Sequence, residues 1–351
     1  MRQGCRQLAF AFVLAASLPF TALAWDRGEV ERFATLPQGD HNPEGITADK
    51  HGKIYVTTFD VTKPAGTLGR LLVFDRHGDL DRALNVQNSS NLLLDLAFHP
   101  DTGALLVIDF GGQKVLKVNP HTGQSSVFTT IPKVDPDPTV GPGPNVLTFD
   151  KHGNVYISDS FQGIIWKTGP NGVPNGGPAT AWVTSPLLKP NGVPPFGANG
   201  LAFNKKGDAL FVANTANDQI VRIPVDAGKP GAPAVFVNSV NGADGLIIDH
   251  HDNLWICANQ ADEIVVLDKT GRVIAKLGDF NGLSHSGAPR GLLFPASLVR
   301  VGDWIYVTNL SLDLRLFGLA QTVDSQWAAD VKRHTVSRLK AKIPPVRGLH
   351  D

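Results

Sequence analysis

The sequence predicts an all-β protein folded as a six-bladed β-propeller with four antiparallel strands per blade. Three observations predict it: a strand–turn–strand phrase occurs six times, further apolar strands follow each copy, and the composition favours turns over helices. Of 351 residues, 36 are Gly and 25 Pro, whereas 18% are charged and 42% hydrophobic. So many turn formers argue against a helical bundle, and so large an apolar share argues against a disordered chain.

The clearest copy starts at Pro43 and reads PEGITADKHGKIYVT. Its partners are PNVLTFDKHGNVYIS from Pro144, ANGLAFNKKGDALFVA from Ala198 and ADGLIIDHHDNLWIC from Ala243. A degraded copy, LLDLAFHPDTGALLVI, begins at Leu93, and ASLVRVGDWIYVT begins at Ala296. Each reads as an apolar strand, a short polar turn with Gly or Asn, and a second apolar strand. Third strands such as Leu71–Asp75 and Ile264–Asp268 follow, and then fourth strands such as Ser126–Phe128 and Val273–Ala275. Blades therefore start near residues 44, 94, 145, 199, 244 and 290–296, and fill residues 25–351. Glu29–Ala34 and His334–Lys342 compete for the strand that closes the ring and covers its open edges.

Residues 1–24 read as an export signal. Arg2 and Arg6 precede the apolar run Leu8–Leu23, and Ala22-Leu23-Ala24 supplies a cleavage site before Trp25. The run is interrupted by Pro19 and falls short of the roughly 20 residues that span a bilayer. A periplasmic or secreted protein without a membrane anchor after cleavage is expected. Cys5 leaves with the signal, so Cys257 has no disulfide partner and, within the strand-like LWIC, reads as a packed small residue. Lys+Arg and Asp+Glu are both 32, which leaves no basic field for nucleic acid. The expected partner is a small molecule, and the expected state a monomer.

In a propeller the first strand of each blade lines the axial channel, and its beginning forms a ring at one mouth. The equivalent positions are Glu44, Leu94, Asn145, Asn199 and Asp244, with Arg290, Ala296 or Ser297 in the sixth blade. Two carboxylates and two amides converging from different blades are hard oxygen donors suited to one divalent cation. Ca²⁺ is the first choice, with Mg²⁺, Mn²⁺ or Zn²⁺ as alternatives. Two carboxylates so close also need a cation or a shared proton between them.

The turn histidines His51, His99, His152, His250 and His251 fall on the opposite face and are discounted as ligands. The long loops Pro132–Gly143, Pro186–Gly197 and Asn281–Arg290 join blades on the ring's face, and Phe59–Gly69 is read as the longest link between second and third strands. They would build a rim with Phe59, Phe161, Phe196, Phe294 and Leu283 as apolar walls. His41, His285 and Arg290 are candidate substrate contacts on that face, together with Phe196. Asp159, Asn214 and Asn309, at the ends of second strands, read as turn formers.

PEGI around Glu44, ANGLAF around Asn199 and ADGLIID around Asp244 carry a resemblance. With its blade count and ring, the chain resembles the senescence marker protein / gluconolactonase / luciferin-regenerating enzyme family. The resemblance implies a propeller holding one divalent cation at the channel mouth and a lactonase-type activity. It implies Glu44, Asn199 and Asp244 as metal ligands, and matches Asn145 to a further Asn beside substrate and metal. Sugar-lactone members tend to carry Arg two residues before that Asn, where this chain has Gly143. The strictosidine-synthase-like and paraoxonase-like families share the architecture. The expectation is thus an exported, metal-dependent hydrolase of a lactone or related ester, with Asp244 and Asn145 as catalytic residues. A non-hydrolytic isomerase or lyase on the same scaffold, or a non-catalytic binding propeller, are the alternatives.

Overall fold

An Asp after the first strand of blades 1, 3 and 5 explains why the repeated phrase folds as a hairpin. Asp49, Asp150 and Asp249 each accept, through Oδ1, from the backbone N–H groups two and four residues on, at 2.8–3.0 Å. Their Oδ2 atoms accept from an aromatic residue of the second strand, Tyr55, Tyr156 and Trp255 respectively. In the second blade His99 takes this part, its Nδ1 accepting from Asp101 and Thr102 N–H and its Nε2 lying 2.9 Å from the Gly153 carbonyl. These turns hold the histidines away from the channel mouth.

The computed structural model describes residues 26–319 and 323–344; the expected signal, residues 1–24, lies outside them. Blade 1 comprises Pro43–Ala48, Ile54–Thr58, Arg70–Phe74 and Leu80–Asn85. Blade 2 comprises Leu93–Phe98, Leu105–Asp109, Lys114–Val118 and Ser125–Thr130. Blade 3 comprises Pro144–Phe149, Val155–Asp159, Ile164–Thr168 and Thr180–Thr184. Blade 4 comprises Ala198–Phe203, Ala209–Asn214, Gln219–Asp226 and Ala234–Asn238, and blade 5 Ala243–Ile248, Leu254–Ala258, Glu263–Leu267 and Val273–Leu277. All six sheets are antiparallel, and neighbouring first strands pack all round the axis, blade 6 against blade 1 included. Apolar clusters fill the gap between each pair of adjacent blades.

Closure uses both chain ends. Blade 6 is Pro295–Val301, Trp304–Asn309 and Thr335–Lys340, with Val30–Thr35 as its outer strand. The two segments that competed for closure therefore pair with each other, Val30 opposite Leu339 and Thr35 opposite Thr335. Phe33 anchors the seam, edge-on to Tyr306 at 4.7 Å and to Phe74 at 6.5 Å, while Arg338 donates to Glu31.

Two connections differ from the sequence expectation. Residues 281–290, read as a loop, belong to a hairpin of Phe280–Leu283 with Pro289–Gly291, whose Gly and Ser residues supply the turn. The longest link between second and third strands is residues 310–334 of blade 6, not Phe59–Gly69. It carries a 3₁₀ turn, Leu314–Phe317, capped by the Asp313 side chain, and the helix Val323–Ala329. Among the described residues no helix is long and apolar enough to cross a membrane.

Since Phe33 is buried across the seam, Phe33→Ala should cost about 3 kcal/mol or more of unfolding free energy. Urea titration checks this; a loss under about 1 kcal/mol would mean the seam does not close the ring.

Candidate functional site

In every blade the pairing of first and second strands slips at one place: between Pro43 and Ile46, Leu93 and Leu96, Pro144 and Leu147, Ala198 and Leu201, Ala243 and Leu246, and Pro295 and Leu298. The residue just inside each slip is released from the ladder. Such irregularities re-aim a side chain, and here they recur at Glu44, Leu94, Asn145, Asn199, Asp244 and Ala296. The sixth ring position, left open between Arg290, Ala296 and Ser297, is thereby Ala296.

Glycine follows three of these residues, and the packing requires it. A Cβ at Gly200 would overlap the Asp244 carbonyl, one at Gly45 would overlap the Leu94 carbonyl, and one at Gly245 would lie 2.6 Å from the Ala296 carbonyl. Each contact joins a blade to the ring residue of the next. The missing side chains let neighbouring ring residues approach one another.

Hydroxyls then orient the amides. Asn145 Nδ2 donates to Ser160 Oγ at 3.0 Å, and that hydroxyl donates to the Ala198 carbonyl of blade 4 at 2.7 Å. Asn199 Nδ2 donates to Thr215 Oγ1 at 3.0 Å, which donates to the Ala243 carbonyl of blade 5 at 2.7 Å. Because each hydroxyl proton is spent on a carbonyl, each amide must turn its NH2 to the hydroxyl and its oxygen elsewhere. Asp244 has the opposite need, and Asn259 meets it by donating to Oδ2 at 2.8 Å. Ser160, Thr215 and Asn259 were missed in the sequence. They stand 15 or 16 residues after their partners. A hydroxyl opposite each amide and an amide opposite the carboxylate is the signal that could have found them.

What remains is four oxygen acceptors without partners. Glu44 Oε2, Asn145 Oδ1, Asn199 Oδ1 and Asp244 Oδ1 are all buried and accept no hydrogen bond. They belong to residues lining one pocket. Burial pushes the Glu44 carboxyl well above its ordinary range, and the charges of Asp244 and Asp95 add to this. Burial likewise raises Asp244 to about 7, against the pull of the Asn259 amide. Among the described residues no Arg, Lys or His lines the pocket. Four acceptors facing no donor suit a hard cation, and the donor set is the all-oxygen kind that divalent ions take. Among the described residues no cluster of three or more His, Cys, Asp or Glu could hold a metal, so any ion here depends on the two amides.

The walls are apolar. Phe59, Phe196 and Phe294 line the pocket as expected, and so do Leu94, Pro194, Leu310, Leu312 and Leu314, the last three from the long blade 6 connection. Phe161 stands behind Phe196, ring centroids 5.6 Å apart. Leu283 is not part of the wall, and neither His41, His285 nor Arg290 lines the pocket. His285 and Arg290 are carried outward on the hairpin between blades 5 and 6, and both are exposed. His41 is turned to Thr62 and Asp60, at 3.3 and 3.4 Å, and lies beside His334. Loop residues carry no strand alternation from which direction could be read. Asp159, Asn214 and Asn309 hold turns: Asp159 Oδ1 alone accepts from the N–H groups of Gly143, Phe161 and Gln162. Cys257 is fully buried, and burial, then Asp244 and Glu44, push its thiol up.

The class defined so far is a six-bladed propeller with an oxygen-donor ring and an apolar pocket at one mouth. Comparison with known proteins sharpens it. The model of the SMP-30/Gluconolactonase/LRE-like region matches residues 194–278, the segment that holds Asn199, Thr215, Asp244 and Asn259. The chain thus resembles the family of senescence marker protein, gluconolactonase and luciferin-regenerating enzyme. No curated protein matches the sequence. Among solved structures, regucalcin from Agrobacterium tumefaciens, described as a calcium-binding protein, is 16% identical with a TM-score of 0.58, over 91% of this chain and 98% of that one. A gluconolactonase from Xanthomonas campestris is 13% identical with a TM-score of 0.60, over 90% of both chains. Virginiamycin B lyase from Staphylococcus aureus is 14% identical with a TM-score of 0.56, over 90% and 99%. At these identities the likeness is one of fold.

The ring makes stability depend on pH in a stated direction. Asp244 and Asp95 both rise from an ordinary 3.8 to about 7 in the folded protein. The folded state then binds more protons than the unfolded one between those values. Stability without cations should be unaffected by these groups below about pH 4, decline as pH rises through 4–7, and level off above. A cation held by the ring opposes the decline, adding about 2.7 kcal/mol at a hundred times its Kd. Thermal unfolding with chelator and with added Ca²⁺, across pH 4–8, checks both halves; a midpoint indifferent to cations would remove the ring's reason for existing.

Proposed function

We propose that this protein is a divalent-cation-dependent hydrolase of a lactone or related ester. The observation that carries the reading is the set of four buried, unpartnered oxygens that four different blades turn into one pocket. The match of residues 194–278 to a gluconolactonase-type family model supports the same chemistry, and the calcium-binding description of the regucalcin neighbour supports the ion. Glu44, Asn145, Asn199 and Asp244 would hold the cation, Ca²⁺ first among the candidates; bound there, it supplies Lewis acidity to a carbonyl oxygen and acidity to a water.

The chain's own residues do the remaining work. Asp244 is the proton acceptor: Asn259 donates to Oδ2 and fixes the carboxylate plane, which places the carboxylate beside the attacking water. Asn145, locked by Ser160, holds an amide oxygen toward the substrate or the ion. Phe59, Phe196 and the Leu310–Leu314 segment exclude bulk water, which strengthens every charge interaction inside. The reading extends to export, supported by the pattern of residues 1–24; a mature N-terminus at Trp25 is the expected finding by mass spectrometry.

A panel of lactones and aryl esters, run with Ca²⁺, Mg²⁺, Mn²⁺ or Zn²⁺ against a chelated control, tests the reaction. Glu44→Ala should lose most of the bound ion and of the activity. Asp244→Asn should lower kcat by about 10²–10⁴-fold. If Glu44→Ala kept full metal content and full turnover, the site assignment would fail. Because a lyase shares this fold, the product should also be made in ¹⁸O-labelled water, where hydrolysis alone puts solvent oxygen into the new carboxylate.

A further inference from the structure

The apolar half of the pocket bears on the substrate, given the hydrolase reading above. Once the four free oxygens are set aside, the other polar side chains of the lining are already engaged. Thr215 accepts from Asn199 and donates to Ala243, and Asn259 donates to Asp244 while accepting from Gln260 at 3.1 Å. With no cationic side chain among the described residues of the lining, few polar groups are left to pair with the hydroxyls of a sugar ring. Buried hydroxyls facing phenylalanine and leucine would lose their hydrogen bonds to water without replacement.

Four aromatic rings form a continuous cluster instead: Phe59 and Phe196 line the pocket, and Phe110 and Phe161 pack against them and extend the wall outward. Phe59 meets Phe110 edge-on at 5.7 Å, Phe110 meets Phe161 at 5.7 Å, and Phe196 lies 5.6 Å from Phe161 and 6.3 Å from Phe110. Blades 1, 2 and 3 and the loop before blade 4 each contribute one ring. Phe110, Phe161 and Phe196 are only half-buried, so the wall presents ring surface that the core does not use. Its seat is built in: a Cβ at Gly143 would lie 2.7 Å from Phe161 Cδ2. Gly143 is absent from the positions of positive φ, so the backbone does not demand glycine there. The ring of Phe161 does.

We propose that the substrate is a lactone carrying an apolar substituent, an alkyl chain or aryl group, which lies along the Phe59–Phe110–Phe161–Phe196 wall beneath Leu310 and Leu312. Its ester carbonyl faces the oxygen ring, and a polyhydroxylated lactone is a poor substrate. Each methylene added to the substituent raises kcat/KM about fourfold until the wall is covered.

The test measures kcat/KM of the full mature chain, loaded with Ca²⁺, on δ-valerolactone, δ-hexalactone, δ-octalactone, δ-decalactone and glucono-δ-lactone. A rise along the alkyl series, with gluconolactone at the bottom, is the expected result. Phe196→Ser should flatten the series, cutting the decalactone-to-valerolactone ratio at least about tenfold through KM. Phe161→Leu serves the same end if Phe196→Ser does not fold. A flat series in the unaltered protein, or preference for gluconolactone, overturns the proposal and leaves the hydrolase reading standing. If no lactone is hydrolysed under any cation, that reading falls instead. The wall is then judged by calorimetry alone: binding of 2-pentylcyclohexanone at least tenfold tighter than of glucose upholds an apolar pocket, and equal or weaker binding overturns it.

Discussion

The site depends on how closely six first strands can crowd around an axis. Gly45, Gly200 and Gly245 let the backbone of one blade rest on the ring carbonyl of the next. Hydroxyls stitch the same joints: Thr308 Oγ1 donates to the Glu44 carbonyl, Thr57 to that of Leu94, Ser160 to that of Ala198 and Thr215 to that of Ala243. Side chains from different blades are thereby held together at a spacing that none of the blades could set alone. The electrostatic tension of the ring, with the Asp244 charge adding to the rise in the proton affinity of Glu44, is a result of this crowding.

The ring is uneven, and the unevenness is chemical. Following the second strands round the mouth, blades 3, 4 and 5 present Ser160, Thr215 and Asn259, whereas blades 6, 1 and 2 present Leu310, Phe59 and Phe110. The first group fixes the donor atoms of its own ring residues. The second group offers the Glu44 carboxylate no hydrogen-bond donor, so nothing opposes the rise that burial imposes on it. One side of the mouth is therefore organised for charge and the other for hydrocarbon.

Much of this was legible in the chain. Aligning the six phrases placed Glu44, Leu94, Asn145, Asn199 and Asp244 in register, and the four polar ones line one pocket. Turn chemistry was enough to set the histidines on the far face. The sixth ring position was not readable, because its copy is shortened and the slip that selects Ala296 is a feature of strand pairing. The supporting residues were hidden for a related reason: Thr215 and Asn259 act across a hairpin, at a distance in sequence that periodicity within a strand does not reveal. His41, His285 and Arg290 lie outside regular alternation, so their side chains could not be aimed from sequence. The two closing segments were read as rivals because either alone would have capped an edge, while the propeller needed three strands from one end and one from the other.

That division of blade 6 ties the pocket to the chain's two ends. Leu310, Leu312 and Leu314 hang from the connection that leads into Thr335–Lys340, and this strand is clasped by Val30–Thr35. Glu31 and Arg338, which meet across the clasp, are 307 residues apart. The roof over the pocket is therefore assembled from residues 310–314 and secured by Val30–Thr35, a strand far earlier in the sequence. Removing either strand of the clasp, however well the middle blades have formed, would free the roof of the mouth from its anchor.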